Sequence, residues 1–278
     1  MDNIIQMIIS NKYELIEKIN EGSFGQVYKG KHVRTGELVA VKIERKSDTG
    51  SSLKNEARVY QYLAKEPGFL HLKWYQTDEQ YSYLVIDLLV CSLTRLIKIK
   101  GQIPIKVVLQ LGIQMIKRIE TLHNKYLLHR DIKPDNFMLG SNKQLYLIDF
   151  GLCKRYDHNG KHIEETRKSN KTIIGSLNFV SLNVHNGIEP GRRDDIESCI
   201  YIILFLLQDD QFSWFKEKDI TKIVYLKEQL TNTNNHSYGP FMKEMLANIR
   251  NLAFREAPNY GQLINILETE LLKYNILK

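Results

Sequence analysis

Residues 127–139 read LLHRDIKPDNFML. Asp131, Asp135 and Asn136 stand beside His129, Arg130 and Lys133, with apolar residues on both sides. Apolar flanks bury the ends of the segment, where an unpaired charge is costly. So much polar chemistry there calls for a reason, and the residues that follow supply one. NFML and QLYLID flank the turn signal GSNK at 140–143, which predicts a hairpin. Pairing Leu139 with Gln144 sets Asn136 opposite Leu147, with Asp149 one same-face position further on, at a diagonal spacing of about 7–8 Å. A carboxylate and an amide oxygen so placed, just past the loop carrying Asp131, are hard donors. They suit Mg²⁺, which takes one or two carboxylates together with waters and phosphate oxygens. For Asp149-Phe150-Gly151 taken alone, an Asx-capped turn is the simpler reading.

The chain has 278 residues, enough for one large domain or two lobes sharing a cleft. Its 43% hydrophobic and 26% charged content is that of an ordinary soluble globular protein. The longest apolar run, Cys199 to Leu207, falls far short of the roughly 20 residues of a membrane span and predicts a buried helix. MDNIIQMIIS at the start lacks the positive charge and cleavage site of a signal peptide. Cys91, Cys153 and Cys199 are scattered, which fits reduced thiols and argues against a disulfide framework or a zinc site. A cytoplasmic or nuclear location is expected. The net charge of +7 usually means no more than a solvated surface; the sharper reading is attraction to acidic partners, and composition alone does not choose.

Working outward, YELIEKI, QVYKGKHV and ELVAVKIER predict strands within residues 13–45, with RTG as a turn. A helix is expected over about 53–65, then a two-stranded hairpin in LKWYQTDEQYSYLVIDLL. From Pro104, placed at a first helical position, Val108, Leu111, Met115, Ile119 and Leu122 keep helical spacing. Further helices are expected over 195–207, 241–252 and 261–273, and TNTNNHSYGP reads as a surface loop. The plan is a β-rich front third joined near Asp87 to Ser92 to a helical rear.

Three pieces of the front third carry chemistry. In INEGSFGQVYKG, from Ile19, Gly22 and Gly25 permit a tight strand-to-strand turn over a phosphate chain. A strand follows rather than a helix, which argues against a dinucleotide fold, and no P-loop motif occurs. In VAVKIER, alternation puts Ala40 and Lys42 on one face and Val39, Val41 and Ile43 on the other. On the next helix Leu53, Glu56, Tyr60 and Leu63 share one stripe. A carboxylate on an apolar stripe needs a cation, and Lys42 is the available one.

In order, Gly22-Ser23-Phe24-Gly25, Val39-Ala40-Val41-Lys42, Glu56, His129-Arg130-Asp131 through Lys133 to Asn136, and Asp149-Phe150-Gly151 resemble the eukaryotic protein kinase motif set, over nearly the whole chain. HRDIKPDNFMLG, IDFGLCKRY and SLNVHNGIEPGRRDDIES resemble the casein kinase I family, with the vaccinia-related kinases as the nearest competitor. Ser181-Leu182-Asn183 stands where most kinases carry Ala-Pro-Glu. The resemblance implies an α+β, bilobal kinase fold in a single domain. A small β-rich N-lobe with one main helix would span about 1–88, a hinge 87–92, and a mainly helical C-lobe 93–278.

It implies a serine/threonine kinase using ATP and Mg²⁺. By resemblance, Asp131 accepts the substrate hydroxyl proton and Lys133 stabilises the γ-phosphate. Asn136 and Asp149 hold Mg²⁺. Lys42, fixed by Glu56, contacts the α/β-phosphates under the backbone of Gly22, Ser23, Phe24 and Gly25. The adenine lies between Val27 and Ala40 on one side and Met138 on the other, near Ile19 and Ile148. Ile86 matches the gatekeeper, and Asp87, Leu88 and Leu89 match the hinge. Ser176 matches the hydroxyl bridging Asp131 and Lys133. Asp195 matches the aspartate bracing the catalytic loop, with a helix N-cap as the plainer alternative.

Departures shape the remaining expectations. Asn20 replaces the first glycine of the loop, and Val90-Cys91 replaces Gly-Pro after the hinge. Asn178 replaces an arginine that binds phosphate in the casein kinase I family, which weakens the case for phosphate-primed substrates. Arg130, Lys154, Arg155, Lys171, Arg192 and Arg193 leave an acidophilic surface open, so acidic or phosphorylated protein substrates are expected. The chain ends at Lys278 where a catalytic domain would, so no autoinhibitory tail and constitutive activity are expected. A monomer without membrane contact is expected, and no zinc, RNP or helix-turn-helix signature supports nucleic-acid binding. A pseudokinase would lack an equivalent of Lys42, Asp131 or Asp149, and all three are present.

Overall fold

The computed structural model describes residues 8–22, 25–46, 51–167, 173–207, 213–231 and 239–276. The chain divides into two compact units. One contains the residues up to Val90 together with Met138–Gly151; the other contains Cys91–Phe137 and the chain from Leu152 onward.

The first unit is built on a six-stranded antiparallel sheet of β1 (Ile8–Ile9), β2 (Tyr13–Gly22), β3 (Gly25–His32), β4 (Leu38–Arg45), β5 (Leu72–Thr77) and β6 (Tyr81–Asp87). Their order is β1-β2-β3-β4-β6-β5. Strand alternation sorts the side chains as expected. Val39 and Val41 join Ile9, Tyr13, Leu15, Tyr83 and Val85 in a core on one face, with Ile43 packed against it. The register places Val27 opposite Lys42 and Ala40 opposite Ile86, so these side chains share the other face. Helix α1 (Ser52–Leu63) starts at the Ser51 cap, whose hydroxyl accepts from Leu53 N–H, and buries Leu53, Glu56, Tyr60 and Leu63.

The hairpin within Met138–Gly151 belongs to this first unit. Gly140 N–H donates to Gln144 O at 2.9 Å, and Lys143 N–H to Gly140 O at 3.1 Å. Gly140, not Leu139, therefore faces Gln144, one residue from the expected pairing. The cause is Lys143, which takes φ +61° and closes a three-residue loop with a bulge. The diagonal that set Asp149 beside Asn136 rests on a register this turn does not have.

The second unit is helical: α2 (Leu93–Lys100), α3 (Ile105–Asn124), α4 (Leu182–His185), α5 (Arg192–Leu207), α6 (Ile220–Gln229), α7 (Pro240–Arg250) and α8 (Tyr260–Ile276). Val108, Leu111, Met115, Ile119 and Leu122 of α3 are buried, and Cys199 to Leu204 of α5 are fully enclosed. Pro104 sits at the N-cap with ψ 135°, one residue before the helix, where its missing N–H costs nothing. Helices α2 and α6 escape the periodicity reading because they are short. Each nevertheless has a capping residue: Ser92 accepts from Arg95 N–H at 3.2 Å, and Asp219 from Thr221 N–H at 2.9 Å. All three cysteines are buried and outside any disulfide. No helix among the described residues is long and apolar enough to cross a membrane. Most of TNTNNHSYGP lies outside the described residues.

A buried pair in this unit makes stability depend on pH. Lys227 Nζ bonds Val180 O at 2.7 Å and His185 Nε2 at 3.1 Å. Burial, and then Lys227, pull the His185 pKa from 6.5 down to about 3, while burial pulls that of Lys227 from 10.5 down to about 7. The unfolded chain therefore takes up this proton first, so the contribution is complete above pH 6.5 and lost as pH falls toward 3. His185→Gln, which keeps an acceptor for Lys227, is expected to flatten that acid slope by roughly 2 kcal/mol. Urea unfolding at pH 7 and pH 5 checks this; equal slopes would refute it.

Candidate active site

In the first unit, Lys42 is the centre. Its Nζ lies 2.9 Å from Glu56 Oε2 and 2.8 Å from Asp149 Oδ1. This is the partner that the position of Glu56 on the apolar stripe demanded, and Glu56 is only 1% exposed. Burial works against the Lys42 charge, but the two carboxylates outweigh it and raise its pKa. Tyr60 Oη accepts the Asp149 N–H at 3.2 Å. Tyr60 and Phe69 both pack on the Phe150 ring, the former edge-on at 4.9 Å.

Ala40 is buried; Val27, Ile86, Met138 and Ile148 are partly buried, and Ile19 is exposed on β2. Asp87 pairs with Lys73 at 2.9 Å at the end of β6, and partly buried Leu88 and Leu89 follow it. A groove of about 710 Å³ in this unit runs along Asp87 to Leu89, Gly68 and Tyr146. It does not reach Ala40, Lys42 or Ile86, so it is distinct from the face that carries the lysine.

Ser23 and Phe24 of the glycine loop lie outside the described residues. The two glycines beside them differ. Gly25 has φ +110°, and a Cβ there would sit 2.2 Å from Ile43 O, whereas one on Gly22 meets no described atom within 4 Å. Asn20 is part of β2, and its Oδ1 accepts the Glu21 N–H at 2.9 Å. Gly25→Ala is expected to raise the KM for nucleotide at least tenfold by splaying β3 from β4, while Gly22→Ala stays within about threefold. Equal effects in steady-state assays would contradict the steric argument.

In the second unit, Asp131 is 5% exposed and its two oxygens are shared out. Ser176 Oγ donates to Oδ1 at 2.8 Å, and Lys133 Nζ to Oδ2 at 2.6 Å. Asn136 Nδ2 donates to Asp131 O at 2.8 Å, which turns its carbonyl oxygen the other way. Asp195 braces the loop: it accepts from His129 N–H at 2.8 Å, Arg130 N–H at 2.9 Å and His123 Nε2 at 3.1 Å. The N-cap reading of Asp195 fails. It lies inside the first turn of α5, and Asp194 is the residue that takes the Gly191 N–H, at 2.7 Å. Although burial pushes the Asp195 pKa up, the bonds from His123 and His129 hold it below its ordinary value.

Gly175 escaped the sequence reading. With φ +98°, a Cβ there would lie 2.5 Å from Arg130 O, so only glycine lets the chain pass and deliver Ser176 to Asp131. Glu189 was also missed. Only 6% exposed, its Oε1 takes Lys154 Nζ at 2.7 Å and Arg130 Nη1 at 3.4 Å.

The cations expected to form an acidophilic surface are largely engaged within the chain. Besides Arg130 and Lys154, Arg155 donates to Asp157 O at 2.7 Å. Arg192 stacks 4.9 Å over Tyr156 and donates to Arg255 O. Arg193 binds Leu252 O at 2.6 Å and Glu165 at 2.9 Å. Lys171 lies outside the described residues. Asn178 Nδ2 donates to Phe215 O at 3.2 Å, so this amide ties the segment to the turn at 213–216.

The donor chemistry fits magnesium. Asp149 in the first unit carries a carboxylate and Asn136 in the second an amide oxygen, each of the hard donor type that Mg²⁺ takes. No cluster of three or more His, Cys, Asp or Glu gathers as a metal site among the described residues. The family model described as protein kinase domain matches residues 13–264.

Proposed function

The chain belongs to the protein kinase family, and we propose that it transfers the ATP γ-phosphate to serine or threonine of protein substrates in the manner of casein kinase I. The observation that carries this is Asp131, a buried carboxylate held by Ser176 on one oxygen and Lys133 on the other. Asp131 takes the hydroxyl proton as the new P–O bond forms, and Lys133 neutralises the phosphoryl oxygens. Lys42 holds the α/β-phosphates, while Val27, Ala40, Ile86 and Met138 enclose the adenine. Asn136 and Asp149 are the residues that would hold Mg²⁺, whose contribution is to neutralise phosphate charge. Lysine two residues after Asp131 supports serine/threonine specificity, by resemblance. Acidic substrates belong to this reading by resemblance to casein kinase I, and the net charge of +7 is compatible with them. Three buried cysteines outside any disulfide support a reducing compartment, cytoplasm or nucleus.

Activity in this reading needs no phosphorylation of the chain itself. Activation loops are commonly ordered by arginine pairing with an introduced phosphate. Here Arg130 and Lys154 already share the Glu189 carboxylate. One assay tests both points: transfer of labelled γ-phosphate to casein by wild type, by phosphatase-treated wild type, and by Asp149→Asn. The two wild-type samples are expected to agree, and Asp149→Asn to fall at least 100-fold. Equal signals from wild type and Asp149→Asn would sink the assignment, and silencing by phosphatase would sink constitutive activity.

A further inference from the structure

Asp149 holds φ at +66°, in the left-handed region that a residue with a Cβ enters only against steric resistance. Such a conformation persists where neighbouring contacts over-determine it. Lys42 fixes the carboxylate, but the peptide is held from elsewhere. Tyr60 Oη accepts the Asp149 N–H at 3.2 Å, and Glu56 takes the next N–H, that of Phe150. Glu56 and Tyr60 are four apart on α1 and therefore share a face. Tyr60 is 1% exposed, and its ring meets Phe150 edge-on at 78°. Burial, followed by the nearby Glu56 charge, keeps the hydroxyl un-ionised.

We propose that Tyr60 is a positioning residue for magnesium-nucleotide binding: its hydroxyl, together with Glu56, grips two successive peptide groups and sets the Asp149 carboxylate. The stripe of α1 that looks like plain core thus reads the backbone of the Asp-Phe-Gly segment. The proposal rests on the reading of Asp149 as a metal ligand, and Tyr60→Phe isolates it, because the ring and its packing stay while the acceptor goes.

Two measurements on the full chain decide it. In the metal-free protein, hydrogen exchange at the Asp149 amide is expected to quicken about fivefold or more in Tyr60→Phe, the scale of one net hydrogen bond. In calorimetric titration, the Kd for ATP with Mg²⁺ is expected to rise about fivefold, while that for ATP alone and the KM for casein stay within twofold. Unchanged exchange at Asp149 would overturn the proposal. So would equal loss of ATP affinity with and without metal, which is what a merely structural role predicts. Asp149→Asn separates the two layers. If it binds ATP with Mg²⁺ as wild type does, the metal reading fails, and the exchange rate still decides whether Tyr60 grips the peptide. If it does not, an inert Tyr60→Phe removes this inference alone.

Discussion

Asp131→Asn is expected to lower kcat by about 10²–10⁴-fold, with the melting temperature and the KM for ATP close to wild type. The substitution keeps the shape of a side chain that is 5% exposed, so packing is undisturbed. One oxygen remains to accept from Ser176 Oγ, now at 2.8 Å. The other becomes an NH₂ facing the Lys133 ammonium, now at 2.6 Å. Two donors then confront each other, Lys133 swings away, and no group is left to take the substrate proton. The loss therefore lies in kcat, because the substitution removes an interaction made in the transition state. Nucleotide binding depends in this reading on Lys42 and its carboxylates, which the substitution does not touch. Single-turnover transfer to casein alongside thermal melting checks the split. A kcat within tenfold of wild type would remove Asp131 from its role.

Legibility in the sequence varied with the kind of signal. The Lys42–Glu56 pair was readable because two periodicities crossed: a strand that turns Lys42 away from the valines, and a helix that places Glu56 on its apolar stripe. A buried charge must find a partner, so contact could be inferred without coordinates. Asp149, 107 residues from Lys42, carries no such local demand; a hairpin diagonal drawn in a register the turn does not have, and resemblance to a motif, pointed to it. The hairpin register slipped by one because Lys143 adopts a left-handed conformation that its residue type does not announce. Tyr60 was read correctly as core, yet the hydroxyl at the end of its ring gives no periodic signal. Gly175 and Glu189 were missed for a related reason. A close approach of backbone to Arg130 O, or a carboxylate between two cations, is a property of long-range packing. Nor do the cations announce their contacts: Arg193 reaches the Leu252 carbonyl and Arg192 lies over the Tyr156 ring, partners that only long-range packing supplies.

Asp195→Ala is expected to cost about 3–5 kcal/mol of stability and most of the activity as well. Asp195 is 3% exposed and sends its two oxygens to three donors. Removal strands the buried N–H groups of His129 and Arg130, whose desolvation is then uncompensated. Arg130 has φ +67°, a left-handed conformation that these bonds help hold. Once released, that peptide relaxes, and Asp131, one residue on, moves with it. The pH behaviour gives the effect its sign. Because the folded pKa of Asp195 lies below 3.8, its contribution is complete above that value and is lost only as pH falls below it. The deficit of Asp195→Ala should therefore be full and constant above pH 6.5, where buried His123 is neutral in both proteins, and the part due to the Asp195 charge should shrink in strong acid. Asp195→Asn, which keeps one acceptor, should lose less. The contrast with Asp131→Asn is the decisive comparison: one carboxylate affects rate without melting, the other affects both. If denaturant unfolding found Asp195→Ala as stable as wild type, the brace beneath the catalytic loop would not be what fixes Asp131, and the strained Arg130 peptide would need another support.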